Sequence, residues 1–377
     1  MITPTDAQHH ISRRQDHALW SWIAARLNTR KLEGEPSAIS HDPTMFKPLS
    51  RSQIWRASQA ELGGLIWELT PHATRAQLSG SAHLHRLWLR QGASHLARSA
   101  ALSMHWPQDL PPPLLIKGSD LELSLYPRRA LSAGARASSD WDVILPDPHY
   151  TSLVKTWTRR FGAPIQPQSA RFIDEEPHEV GFLINGALIE VHRDPAPRFF
   201  SPLSGEDLWR RGRRAFTPEG LEVKHPQPTD RLLIWLVNYA KAGGAVRSQS
   251  WLDLTLILED VGTSHHREEA AIEIEILEAE AAQYGLKNAL RAALTMWTRS
   301  PLSQLNVQLS AEITERVDSG NWPQEPRSAQ RSDPLRVALN QVRYCAPQVR
   351  SAYLNRAMYA LFAGRGRDLP RSRASHR

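Results

Sequence analysis

Ser138-Ser139-Asp140-Trp141-Asp142-Val143-Ile144-Leu145 places two carboxylates two residues apart at the start of an apolar, β-branched run. Successive side chains of a strand point to opposite faces, so Asp140 and Asp142 share one face and can grip one divalent cation. Alone, an Asp-x-Asp at a strand start is an ordinary turn or cap. Its surroundings add weight. Upstream, Lys117-Gly118-Ser119 follows the apolar run Leu114-Leu115-Ile116, and downstream a third carboxylate, Glu190, lies inside Ala187-Leu188-Ile189-Glu190-Val191-His192. A carboxylate within an apolar strand costs free energy unless it is paired, hydrated at an edge or bound to metal. His192 reads more simply as a structural, hydrogen-bonding histidine.

Working outward, Asn185-Gly186 separates the apolar runs 179–184 and 187–192, and both residues tolerate positive φ, which makes this a hairpin. It carries Leu188, Glu190 and His192 on one face and Ile189 and Val191 on the other. Leu114–Ile116 and Trp141–Leu145 supply two more short strands, and 150–161 reads as a helix ended by Gly162 and Pro164. The prolines at 107, 111, 112 and 113 cannot sit in a helix interior and mark the sharpest boundary. Before them the chain reads as helices around residues 19–27, 54–69 and 75–105, with a polar loop over 32–50. After Thr229 it is helical again, at 232–241, 251–260, 266–284, 286–299, 335–344 and 349–362. The fold class is α+β, a small mixed sheet core flanked by helical regions. Four segments follow: 1–106 helical, 107–225 the core, 226–364 helical, and 365–377 a basic disordered tail.

The 377 residues, 41% hydrophobic and 23% charged, are an ordinary globular composition. No run of about eighteen apolar residues is present to span a bilayer, and the polar stretch Met1–Arg14 carries no apolar signal core. The single cysteine, Cys345, excludes an internal disulfide and a cysteine-rich zinc site. The cytoplasm is the expected compartment, with no membrane partner. The net charge of +7 gathers at Arg210, Arg211, Arg213 and Arg214 and in the tail. Such clusters can bind phosphate or nucleic acid, although Gly, Pro and Ser among the tail arginines mark a solvated end. A zinc hydrolase is disfavoured: no His-Glu-x-x-His occurs, and His9-His10 and His265-His266 are adjacent pairs that do not share a helical face.

The order of landmarks is Lys117-Gly118-Ser119, Tyr126-Pro127, Arg136, Ser139-Asp140-Trp141-Asp142, then Glu190-Val191-His192. It resembles that of the uncharacterised bacterial nucleotidyltransferase family within the polymerase-beta-like superfamily. The resemblance covers roughly Pro113 to His192, and Trp251-Leu252-Asp253 looks similar to a later element of the family; a core tryptophan with a solvent-facing or capping aspartate is the plainer account of it. Two departures stand out. Glu190 replaces the usual Asp, and Arg193 stands where an aromatic is frequent.

The resemblance implies a two-metal, NTP-dependent enzyme that moves an NMP group to a hydroxyl-bearing acceptor and releases pyrophosphate. Mg2+ or Mn2+ prefers hard oxygen ligands, which two or three carboxylates and the phosphates of the nucleoside triphosphate supply. Asp140 and Asp142 would hold the nucleotide-bound ion. Glu190 would complete the second site and orient or deprotonate the acceptor. Gly118 would let the backbone approach a phosphate, Ser119 would donate a hydrogen bond to it, and Lys117 and Arg136 would add positive charge. The acceptor is a small molecule, a protein or an RNA. The alternative is a non-catalytic descendant that binds a nucleotide or nucleic acid without turnover.

Overall fold

The computed structural model of the chain describes residues 17–28, 49–59, 61–78, 80–165, 178–197, 200–244, 246–264 and 274–322. The expected helices at 335–344 and 349–362, Cys345, the tail, the paired histidines, the first fourteen residues and most of the 32–50 loop lie outside the described residues.

Helix α1 covers residues 17–28, followed by α2 (Arg51–Gln59), α3 (Gly63–Leu69), α4 (His72–Arg75) and the long α5 (Ser81–His105). Beyond the prolines come β1 (Leu114–Ile116), α6 (Lys117–Ser124), β2 (Asp140–Ile144), α7 (His149–Phe161), and the hairpin β3 (Glu179–Ile184) and β4 (Ala187–His192). Then follow α8 (Gly205–Arg211), β5 (Arg213–Phe216), β6 (Glu222–His225), α9 (Pro228–Lys241), α10 (Ser248–Ser264), α11 (Ile274–Gln283), α12 (Lys287–Thr298) and α13 (Val307–Asp318). The fold is α+β.

The six strands form one mixed sheet in the order β3-β4-β2-β1-β6-β5. β2 runs parallel to β4 and antiparallel to β1, while β1 runs parallel to β6. The hairpin turn is as the sequence requires, with Asn185 at φ +51° and Gly186 at φ +81°. Its register sets Ile184 against Ala187 and, five pairs further, Glu179 against His192.

Alternation divides the sheet into two unlike faces. Leu115, Trp141, Val143, Val180, Phe182, Ile189 and Val191 point to one side and close an apolar core with Ala101 and Leu102 of α5 and Leu153 and Trp157 of α7. Trp157 meets Phe182 edge-on at 5.4 Å, and each such buried aromatic or aliphatic side chain contributes about 1.5–3 kcal/mol. On the other side, Leu114, Ile116 and Ile144 join a second core with helices from both ends of the chain. Asp140, Asp142, Glu190 and His192 share that side.

Two expectations change. The helix read over 75–105 is broken at Gly80, whose φ of +73° precedes α5, and the one read over 54–69 divides before α3. Strands β5 and β6 carry no sequence signal: β5 is Arg213-Arg214-Ala215-Phe216 on the sheet edge. Charged, solvated residues suit an edge strand, but they erase the apolar alternation by which a strand is recognised.

Candidate active site

Asp142 and Glu190 are directly level on neighbouring parallel strands, as are Asp140 with Leu188 and Ile144 with His192. Parallel pairing in this register puts all the polar members on the charged side of the sheet. Ligand atoms of Asp142, Glu190 and His192 lie within 4.8 Å of one another, a group able to hold a metal ion. Asp140 stands one alternation nearer the start of β2 on the same face.

Asp142 is buried and doubly held. Lys117 Nζ donates to its Oδ1 at 2.5 Å, and His192 Nε2 bonds the same oxygen at 2.9 Å. Behind it, His192 Nδ1 makes an ion contact with Glu179 Oε2 at 3.2 Å, and His192 Nε2 lies 3.7 Å from Glu190 Oε2. Glu179 in turn meets His178 at 3.3 Å and Lys241, the last residue of α9, at 4.0 Å.

The electrostatics follow from burial opposed by neighbours. Burial would raise the Asp142 carboxyl, but Lys117 and the His192 hydrogen bond hold it well below the usual carboxylate range. Burial and the nearby Lys117 charge disfavour the His192 cation, yet its hydrogen bond to Asp142 and its ion contacts with Glu179 and Glu190 prevail and raise it to about 9. At Asp140 the Lys117 charge and a Ser139 hydrogen bond compensate only in part. Burial, then repulsion from Asp142 and Glu190, pushes it up to about 6. Lys241 is lowered, chiefly by burial.

The remaining residues singled out by the sequence form a second network. Arg136 grips Asp253 at two points, Nη2 to Oδ2 at 2.9 Å and Nε to Oδ1 at 3.2 Å, and reaches Glu122 at 3.5 Å. Tyr126 donates its hydroxyl to Asp253 at 3.0 Å. Asp253 is thus a buried ion-pair partner, not the solvent-facing or capping aspartate expected. Gly118 lies beneath Arg136: a Cβ there would stand 2.4 Å from Nη1. The Ser119 hydroxyl is fully buried and is committed to the carbonyls of Ile116 at 2.7 Å and Asp142 at 2.8 Å. That bond ties α6 to β2.

Between α6, α9 and α10 lies a cavity of about 180 Å³ bordered by Lys117, Arg136, Trp235, Asn238, Tyr239 and Ser250 among others. The buried Asp120 bonds Arg231 at 2.7 and 3.0 Å and His225 at 2.7 Å, which locks α6 to α9 and β6. α9 is thereby aimed so that Lys241 reaches the carboxylates.

Glu179 and Lys241 escaped sequence reasoning for different reasons. The two-residue hairpin turn already implies the pairing of Glu179 with His192, so that signal was present. Lys241 had none, because only packing brings the end of α9 to the sheet. The arginine cluster is dispersed: Arg210 pairs Glu206 at 2.9 Å, Arg211 pairs Asp230 at 2.6 Å, Arg213 donates to Gln227 at 2.6 Å and Arg214 pairs Glu222 at 2.7 Å.

The group of Asp142, Glu190 and His192 can hold a metal ion, and its two carboxylates present the oxygen donors that a hard divalent ion takes; Asp140, on the same face, is not part of that group. No protein-family model and no curated protein matches the chain. Among solved structures, the crystal structure of the Megavirus polyadenylate synthase is similar with a TM-score of 0.30 and 7% identity, over 66% of this chain and 45% of that one. The chain therefore covers less than half of the synthase, and a likeness this slight carries no argument about the site. No described helix is long and apolar enough to cross a membrane.

Proposed function

We propose that the protein is a metal-dependent nucleotidyltransferase that moves an NMP group from an NTP to a hydroxyl-bearing acceptor and releases pyrophosphate. The observation that carries this is the level pairing of Asp142 with Glu190 across parallel strands, with Asp140 on the same face. Mg2+ or Mn2+ bound there would neutralise charge on the phosphates and on the attacking and leaving oxygens. Asp140 and Asp142 would hold the nucleotide's ion. Glu190, the more accessible of the facing pair, with 29% of its side chain exposed against 5% for Asp142, orients the acceptor hydroxyl and takes its proton. Oxygen attacks the α-phosphorus as the bond to pyrophosphate breaks. Lys117 and Lys241 supply positive charge where the triphosphate lies. A cavity of about 180 Å³ beside Lys117 takes part of a nucleotide, being smaller than the roughly 300–1,000 Å³ of whole-ligand pockets.

A specific observation also favours the non-catalytic alternative: Asp142 is already neutralised by Lys117 and His192. Incubation with Mn2+ or Mg2+, each α-labelled NTP and a cell extract of acceptors separates the two readings. Label transfer with pyrophosphate release, abolished by Asp140→Ala/Asp142→Ala, is expected. Nucleotide binding without transfer, unaffected by that double substitution, establishes the alternative.

A further inference from the structure

Lys117 occupies an uncommon place in the backbone. At the junction of β1 and α6 its φ is +53°, a conformation that L side chains other than Asn and Asp rarely take. The bend aims its ammonium at Asp142 Oδ1, 2.5 Å away, and the same oxygen is bonded by His192 at 2.9 Å. A divalent ion taken up by Asp142 and Glu190 therefore meets a positive charge already on one of its ligands. Two cations sharing one carboxylate oxygen repel, so either the ion binds weakly or the ammonium leaves.

The structure offers the ammonium a way out. Lys117 is 21% exposed at its side chain and borders the cavity between α6, α9 and α10. An ammonium is a compact point charge on a flexible stem, and a triphosphate brings the oxygens that would receive it. Asp142 keeps its His192 bond after Lys117 departs, so the carboxylate stays placed.

We propose that Lys117 competes with the divalent ion for Asp142 and releases it only when a nucleoside triphosphate takes up the ammonium, so that ion alone binds weakly and ion with nucleotide binds well. This rests on the nucleotidyl-transfer reading and makes Lys117 a positioning residue that couples the two ligands. By linkage the coupling is reciprocal: the nucleotide tightens the ion by the factor by which the ion tightens the nucleotide.

The test is Mn2+ affinity, read from the electron paramagnetic resonance signal of the free ion, for the full chain with and without a non-hydrolysable NTP analogue. Lys117→Met removes the charge. Lys117→Asn does so with a residue suited to positive φ and serves if the first variant folds poorly. Without nucleotide, either variant is expected to bind Mn2+ about tenfold more tightly than wild type, within the usual span of coupling energies, and the tightening caused by the analogue shrinks. Mn2+ binding to the variants that is no tighter than to wild type overturns the competition, while wild-type Mn2+ binding with the analogue leaves the proposed function standing. Absence of Mn2+ binding by wild type and variants alike, even with the analogue, overturns both.

Discussion

The charge cluster around Arg136 and the one around Asp142 are joined through consecutive residues, Gly118 beneath the first and Lys117 on the second, yet they differ in balance and in access. Arg136 and Arg98 face Glu122 and Asp253, His95 Nδ1 adds a contact to Glu122 at 2.6 Å, and neither carboxylate side chain is more than 5% exposed. Around Asp142, four carboxylates (Asp140, Asp142, Glu179 and Glu190) face Lys117, His192 and Lys241, and Glu190 is open to solvent. A closed, fully paired network fixes a chain in place. One that keeps surplus negative charge at an opening has room for a cation, and the Asp140 carboxyl there is raised by burial first and by that surplus second.

The comparison is broken most forcefully at Arg136. Arg136→Met leaves Asp253 buried without its guanidinium, while Glu122 keeps Arg98 and His95, and a loss of about 3–5 kcal/mol is expected; urea denaturation measures it, and a loss under about 1 kcal/mol would show that the network is not closed as described. Gly118→Ala attacks the same network from below. Its Cβ would stand 2.4 Å from Arg136 Nη1, and the tethered guanidinium yields at a cost of about 1–3 kcal/mol, visible as a lower denaturation midpoint.

Asp140→Asn sharpens the other side. A carboxyl raised from its ordinary value to about 6 in the folded chain binds more protons folded than unfolded, so its contribution to stability falls as pH rises from about 4 to about 6. With chelator present, the variant should melt higher than wild type at pH 7.5, and that gain should vanish near pH 4 even though transfer activity is lost. An equal melting difference at both pH values would remove Asp140 from the strained set. His192 carries the same sign in a higher window: raised to about 9, it contributes stability that is complete below its ordinary value near 6.5 and is lost as pH climbs through 9. The smallest effect belongs to the sheet edge. Arg214→Ala removes an exposed pair with Glu222, and no shift in midpoint and no change in retention on a nucleic-acid column are expected; a clear loss of retention would restore the edge as a nucleic-acid surface.

The strands that carry the charged residues were legible because their signals are local. Asp140 and Asp142 share a face by strand alternation alone, the Asn185-Gly186 turn dictates the hairpin, and the hairpin register brings Glu179 to His192. Strand β5 was not legible, because edge residues that stay wet need no apolar pattern, and β6, inside the sheet, is four residues long with only Val223 fully buried. The sequence also assigned Ser119 and Arg136 to phosphate, whereas the folded chain commits the hydroxyl to two carbonyls and the guanidinium to Asp253 and Glu122. Residue type announces what a side chain can bond. It does not announce which partner reaches it first.

Sequence alone determined the alternating polar and apolar faces of β2 and β4, since the period of a strand is set by covalent geometry. Only the tertiary structure decided that β4 lies parallel and level with β2, so that Glu190 stands beside Asp142. It also decided that Lys117 and Lys241 arrive from α6 and α9, and that Arg136 closes on Asp253, 117 residues further along the chain. Long-range pairing depends on which buried charges are compensated once the helices pack, a free-energy balance over the whole chain that no local stretch contains.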